Sequence, residues 1–167
     1  VWQIMQSAGW VSEPSIHLAL WPQTPTVALD EAGRRRWGIF LAMRDVVMKA
    51  LEEQRSKRLI GSPLEAQVAL LMNDQLKPLC EAHCETLAEA FVVSRVEVRA
   101  NGTSAASLPE VPGLVGVEVT RAPGGKCQRC WKHLTSVGAQ PSHPQLCERC
   151  ARVVTGFARE ADQSAGR

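Results

Sequence analysis

The sequence predicts an α+β chain in three parts: a helical portion, a small α/β unit and a four-cysteine zinc-finger module. Three observations carry this prediction. Two Cys-x-x-Cys pairs, Cys127/Cys130 and Cys147/Cys150, stand near the carboxyl end with sixteen residues between them. Apolar residues recur at helical spacing between Asp30 and Arg58. Short alternating stretches around 66–70, 91–99 and 115–121 read as strands flanking one helical segment.

Taken in order, the opening stretch to about Asp30 is broken by Pro14, Pro22 and Pro25. It reads as an ordered arm whose bulky groups, Trp10 and Trp21, belong in a core, because indole is large and apolar with one donor to satisfy. From Asp30 to Arg58 the pattern is helical, with Trp37, Phe40, Leu41, Met48 and Leu51 near one face and Arg44 interrupting it to snorkel outward. Asp30 and Glu31 suit the positive end of the helix dipole, Arg55, Lys57 and Arg58 the negative end, and Gly61 is the stop. Ser62-Pro63-Leu64-Glu65 fits a capping box with Pro at the first helical position, or a turn into a strand that carries Ala66, Val68 and Leu70 on one side. The strand is the better reading, since the later strands need a partner. Asn73 to Ala90 is expected to be one helical segment (Leu76, Leu79, Cys80, His83, Leu87), with Pro78 in its first turn. Phe91 to Arg99 and Val115 to Arg121 alternate as strands, separated by a loop that Asn101-Gly102 opens. Residues after about Gly156 read as a frayed tail.

The cysteine spacing is that of a four-thiolate zinc site. A two-residue gap lets both sulfurs of a pair meet one ion, and two pairs complete a tetrahedron. A disulfide framework goes with a signal peptide and denser cysteines, and Val1-Trp2-Gln3-Ile4 has no signal character. Two symmetric pairs also argue against a lone redox motif. The expected compartment is therefore reducing, cytosol or an organelle matrix. The missing initiator Met suggests a piece of a longer protein.

The net charge of +2 is too small to announce a nucleic-acid binder. Its distribution says more. Between Arg121 and Arg152 stand six basic residues (Arg121, Lys126, Arg129, Lys132, Arg149, Arg152) and one acid, Glu148. Four thiolates around a divalent ion add about two negative charges, so the module stays basic, which permits phosphate contact. Trp131, beside the first cysteine pair and between Arg129 and Lys132, either stacks on an unpaired base or packs over the metal. Arg34-Arg35-Arg36, taken with Arg55, Lys57 and Arg58, is a solvated helix face or lines a phosphate path. Cys80 and Cys84 sit one helical turn apart, but no further ligands accompany them, so they read as small apolar residues. His133 and His143 read as loop residues, because four thiolates fill the shell. No run of apolar residues approaches the length that spans a bilayer. There is no Gly-rich phosphate loop, nucleophile elbow, metalloprotease signature or carboxylate pair, so no catalytic residue is assigned.

Lys126-Cys127-Gln128-Arg129-Cys130-Trp131, followed by Leu146-Cys147-Glu148-Arg149-Cys150, resembles the carboxyl-terminal zinc module of bacterial-type isoleucyl-tRNA synthetases. Ser15-Ile16-His17-Leu18 with Trp21-Pro22 is similar to that family's entry into its last helical region. Val47 to Glu53 with Lys57, Ile60-Gly61, Ser62 and Leu64-Glu65-Ala66 is similar to its junction segment. Gly102 to Pro112 matches no motif.

The resemblance implies a parent class I ligase that uses ATP, with Mg2+, to activate isoleucine and attach it to its tRNA, and that hydrolyses misactivated valine in an editing domain. The catalytic signatures and the editing domain are absent from this sequence. The chain would be the tRNA-binding end of such an enzyme: residues 1–60 the end of an anticodon-binding helical domain, 61–120 an α/β junction, 121–155 the zinc module and 156–167 a flexible tail. The resemblance makes Cys127, Cys130, Cys147 and Cys150 ligands of one structural zinc, and Lys126, Arg129, Trp131 and Lys132 contacts to the anticodon stem-loop of isoleucine tRNA. It further implies a monomer in the cytoplasm or the mitochondrial matrix, with no membrane partner. Two other readings share the cysteine pattern: the terminal zinc finger of a DNA-repair glycosylase, whose helical pair is not seen here, and a zinc ribbon that docks proteins.

Overall fold

A computed structural model of the chain describes residues 1–21, 23, 29–100 and 107–165. The turn residues Pro22 and Pro25 and the Asn101-Gly102 loop lie outside the described residues. By its contacts the chain divides into two units, Val1–Gly33 and Arg34–Arg167.

The first unit contains α1 (Trp2–Ser7) and a single 3-10 turn at Ile16–Leu18, the latter capped by the Ser15 hydroxyl. Trp2 Nε1 and Gln6 Nε2 both donate to the Glu13 carbonyl, at 2.9 and 2.8 Å, which folds the segment back on itself. Trp10 and Trp21 are not core residues as the sequence suggests: they are 75% and 95% exposed. Six helical residues and one 3-10 turn enclose no apolar interior, and neither element buries a residue.

Helix α2 (Glu31–Ser56) forms where expected, and Asp30 Oδ1 accepts the Gly33 N–H at 2.6 Å to cap its start. Its buried stripe is Phe40, Met43, Val47 and Leu51, at spacings of three and four. Trp37 and Leu41, assigned to that face from the sequence, flank it and remain about half exposed, at 47% and 48%. Trp37 meets Phe40 edge-on from the border. Arg44 does not snorkel outward; Nε donates to the Ala90 carbonyl at 3.1 Å. The helix stops earlier than Gly61. Arg58 takes the left-handed conformation (φ 60°), with Leu59 N–H on the Gln54 carbonyl and Arg58 N–H on that of Arg55.

Both readings of residues 62–66 are partly realised. Ser62 caps a 3-10 turn at Pro63–Glu65, Glu65 returns a carboxylate oxygen to the Gly61 N–H, and strand β1 (Ala66–Met72) follows directly. β1 is the central strand. It pairs parallel with β2 (Arg95–Ala100) and antiparallel with β3 (Leu114–Arg121) in the order β2-β1-β3. The register aligns Val96, Val68 and Val119 across the sheet, and Val98, Leu70 and Val117 beside them. These residues face the stripe of α2 and form one core with it. The opposite face carries Arg95, Glu97, Arg99 and Glu118, joined by ion pairs of 3.0 to 3.3 Å.

The single helix expected over 73–90 is two: α3 (Lys77–Glu81), and α4 (Cys84–Ala90). A bond from His83 N–H to the Cys80 carbonyl closes α3 early, and the His83 ring lies edge-on to Phe40 at 5.5 Å. Asn73 Oδ1 collects the N–H groups of Gln75 and Leu76 before α3. The second strand starts at Arg95 rather than Phe91, because Phe91 to Ser94 make the turn out of α4. There Val92 is left-handed (φ 58°), with Val93 N–H bonded to the Ala88 carbonyl and Val92 N–H to that of Glu89. After β3 come a two-stranded hairpin, β4 (Gly125–Lys126) and β5 (His133–Leu134), and the closing helix α5 (Glu148–Ala165). The backbone of α5 continues through residues that the sequence suggests are a frayed tail; no proline interrupts them. Among the described residues, no helix is long and apolar enough to cross a membrane.

Val92 is a β-branched residue where a helix stop ordinarily has glycine, and its side chain is 52% exposed. Val92→Gly should therefore raise stability by up to about 1 kcal/mol, as the relieved left-handed strain exceeds the added freedom of the unfolded chain. Urea denaturation of the two proteins at fixed zinc checks this; a Val92→Gly protein less stable than the parent contradicts it.

Candidate metal centre

The short β4-β5 hairpin holds the first cysteine pair and the start of α5 holds the second. Gly124, just before β4, is left-handed (φ 93°), and a Cβ there would collide with the Leu134 carbonyl. Only glycine lets the strands close this tightly. Lys126 pairs with His133 in the hairpin, and Cys127 N–H is bonded to the Lys132 carbonyl at 3.0 Å. The turn between them folds Cys130 back under Cys127. Cys147 immediately precedes α5 and Cys150 lies in its first turn.

The four sulfurs lie within 4.8 Å of one another. Cys130 Sγ and Cys147 Sγ are 3.9 Å apart. A tetrahedral zinc with bonds of about 2.3 Å requires sulfur–sulfur separations of about 3.8 Å, whereas a disulfide requires about 2.05 Å. All four are free thiols, so the geometry fits one ion and no disulfide. Cys127, Cys147 and Cys150 are buried, and Leu134, Val137 and Leu146 pack around them in a small apolar cluster.

Burial raises the cost of a thiolate at Cys127, Cys130 and Cys147, and the three differ in what offsets it. At Cys127 burial is outweighed by N–H groups of Cys130, Cys147 and Arg129, which bring the thiol down to about 6. The Cys147 N–H reaches its sulfur at 3.3 Å. At Cys130 burial, with the neighbouring sulfurs, pushes the thiol up to about 12, and Cys147 moves in the same direction for the same first reason. The surroundings thus favour a thiolate at Cys127 and oppose it at Cys130 and Cys147. A divalent cation, to which all four can be bound as thiolates, completes the cage. Arg129 Nη1 lies 3.8 Å from Cys150 Sγ and offsets part of the charge.

Trp131 does not pack over the cage. It is left-handed (φ 64°), its N–H bonds the Cys127 carbonyl at 2.8 Å, and its ring is 60% exposed with Lys126 Nζ 5.7 Å from the centroid. Arg129 is exposed and Lys132 half-buried, so the hairpin places Lys126, Arg129 and Trp131 on an accessible surface. His133 and His143 lie outside the group of candidate ligands. The His133 N–H is bonded to Ser94 Oγ, and the His143 ring nitrogen lies 3.4 Å from Thr155 Oγ1.

The other candidates separate from this site. Cys80 is fully buried against Met43, and burial pushes its thiol up to about 11, the behaviour of an apolar filler. Arg34–Arg36 and Arg55–Arg58 lie at opposite ends of α2, about 30 Å apart at 1.5 Å per residue, so they do not form one patch. Arg55 is already paired with Glu52 at 2.8 Å. Two residues important to this arrangement, Ser94 and Gly124, carry no motif of their own in the sequence; the signal available for the latter is the Gly124-Gly125 pair three residues before Cys127.

Comparison with known proteins agrees with the motifs. A family model described as "Zinc finger found in FPG and IleRS" matches residues 124–153. The isoleucine–tRNA ligase of Moorella thermoacetica is 41% identical over 144 residues, covering 84% of this chain and 15% of the relative. That of Symbiobacterium thermophilum is 41% identical over 149 residues, 86% of this chain and 16% of the relative. That of Exiguobacterium sibiricum is 39% identical over 148 residues, 88% and 16%. The chain thus spans about a sixth of the length of the curated relatives it matches. The resemblance to the carboxyl-terminal part of isoleucyl-tRNA synthetases, carried first by the motifs, is borne out along most of the chain. The zinc-finger model is shared by two kinds of protein; the long matches outside the finger favour the synthetase over the glycosylase reading.

Removing the metal with a chelator should open residues 123–152 to hydrogen exchange while the β1-β2-β3 sheet and α2 keep their protection, because the two apolar clusters are separate. Exchange mapped by mass spectrometry before and after chelation checks this; unchanged protection throughout contradicts a metal-dependent module.

Proposed function

We propose that this chain is the tRNA-facing carboxyl-terminal part of an isoleucine–tRNA ligase, and that its zinc module docks on the anticodon stem-loop of isoleucine tRNA. The observation that carries the reading is Trp131. A large aromatic ring is held in a left-handed backbone conformation and left exposed beside Lys126, instead of being buried. Exposed aromatic faces flanked by cations stack on unpaired bases, and loop bases are where single-stranded sequence can be read. In this reading Cys127, Cys130, Cys147 and Cys150 bind one structural zinc. Trp131 stacks, while Lys126, Arg129 and Lys132 meet phosphates or base edges. Zinc supplies rigidity to a segment whose few apolar residues could not hold a fold alone.

Within the same reading, residues 1–60 end the anticodon-binding helical domain, 61–120 form the junction and 121–155 the zinc module. Activation of isoleucine with ATP and Mg2+ takes place in the remainder of the ligase, which acts as a monomer in the cytoplasm. This division of labour suits the chemistry. Rejecting valine is a one-methylene problem solved near the active site, whereas choosing the right tRNA needs contacts to its bases.

Binding of isoleucine tRNA and of an anticodon-swapped version, measured across a salt series with zinc quantified, tests the proposal. Preference for the native anticodon is expected, with Trp131→Ala weakening binding by about 1–3 kcal/mol. Replacing Lys126 or Lys132 should shallow the salt dependence by about one counterion each. Equal binding to both tRNAs, or an unchanged affinity in a folded Trp131→Ala protein, overturns the reading.

A further inference from the structure

Two apolar clusters hold the second unit, and they do not merge: one lies between α2 and the sheet, the other surrounds the cysteines. A shared core therefore does not set the orientation of the cysteine module on the sheet. Between the two bodies lies a cleft of about 290 Å³, lined on one side by Cys84, Glu89 and Arg95 and on the other by Cys130, Lys132 and Arg149. Polar links span the junction instead. At the chain crossing, the Ala122 N–H donates to the Glu65 carbonyl at 2.7 Å and Arg121 Nε to the Leu59 carbonyl at 2.6 Å. The other link is Ser94, the buried polar side chain of the described residues at 6% exposure. Its hydroxyl donates to the Leu64 carbonyl, before β1, and accepts the His133 N–H of β5 at 2.7 Å.

We propose that Ser94 is a positioning residue that fixes the orientation of the four-cysteine module on the three-stranded sheet, and through it the direction in which Trp131 faces. One fixed point leaves a body free to swing in every direction; a second confines it to rotation about the line between the two. The chain crossing at Arg121–Ala122 is the first point and the Ser94–His133 bond the second. The chemistry is specific to a hydroxyl, which donates one hydrogen bond while accepting another at the same oxygen. Alanine removes both bonds at once. The cleft beside Ser94 gives the module room to rotate about the remaining link. The proposal rests on the tRNA reading above only for its effect on binding; its mechanical content stands apart from that reading.

The test uses the whole 167-residue chain, zinc-loaded, as the parent, Ser94→Ala and Ser94→Thr proteins. Cobalt substitution reports the thiolate cage by its visible absorption. Amide relaxation reports whether residues 125–150 tumble with residues 66–72. In Ser94→Ala the cage spectrum is expected to be unchanged. The His133 amide should exchange about tenfold faster, and the module should acquire its own shorter correlation time. Threonine, which keeps the hydroxyl, should restore both. Common tumbling in Ser94→Ala, or loss of the cobalt spectrum, overturns the positioning role. In the binding arm, Ser94→Ala is expected to lose several-fold in tRNA affinity. If the parent chain itself fails to discriminate between tRNAs, the tRNA reading fails, while the relaxation data still decide the role of Ser94.

Discussion

Four thiols gathered within 4.8 Å are the constraint on which the carboxyl-terminal half of this chain depends. Brought together, they are pulled in different directions: the surroundings that lower the Cys127 thiol raise those of Cys130 and Cys147. A divalent cation resolves the conflict, and the local backbone is arranged for it, with N–H groups aimed at one sulfur, a helix start beneath another pair and Arg129 against Cys150. The surrounding apolar cluster is small, so the cage replaces the core that a longer segment would build from side chains.

The rest of the second unit provides a base for that cage. A parallel pair and an antiparallel pair meet at β1, which is buried along most of its length between its two neighbours and beneath α2. Among the described residues, the three left-handed ones other than glycine, Arg58, Val92 and Trp131, all sit where the chain reverses direction. At Arg58 and Val92 the reversal ends a helix and feeds the sheet. At Trp131 it turns an indole away from the metal and into solvent. Strain of this kind persists only where surrounding structure determines it; at Trp131 the hairpin and the cysteine pair do so.

The charges follow the same separation of roles. The outer face of the sheet carries arginines and glutamates in compensating pairs, each of small energetic weight at the surface. The hairpin carries cations whose fixed partners are the Cys150 sulfur for Arg129 and the Trp131 ring for Lys126. Basic character is thus concentrated where an aromatic surface is also exposed, rather than along α2, whose two basic runs are a helix length apart.

The sequence alone determined the site's chemistry: a Cys-x-x-Cys spacing is a local property, because two ligands on one turn need nothing beyond that turn. It also determined where α2 begins and its periodicity, which are written within its own span, though not its stop at Arg58 in place of Gly61, and the alternation of β1 and β3. Tertiary structure decided what depends on distant partners. Trp10 and Trp21 looked like core by composition, yet exposure depends on what surrounds them. Phe40 and Leu51 are buried while Trp37 and Leu41 are not, since the sheet selects one stripe of several apolar positions. The helix over 73–90 breaks where His83 meets Phe40, a contact between segments forty-three residues apart. Whether Trp131 covers the metal or faces outward was open in the sequence, because both follow from the same residues; the left-handed turn decided it. The link between Ser94 and His133 joins positions thirty-nine apart, and only the folded chain brings them together.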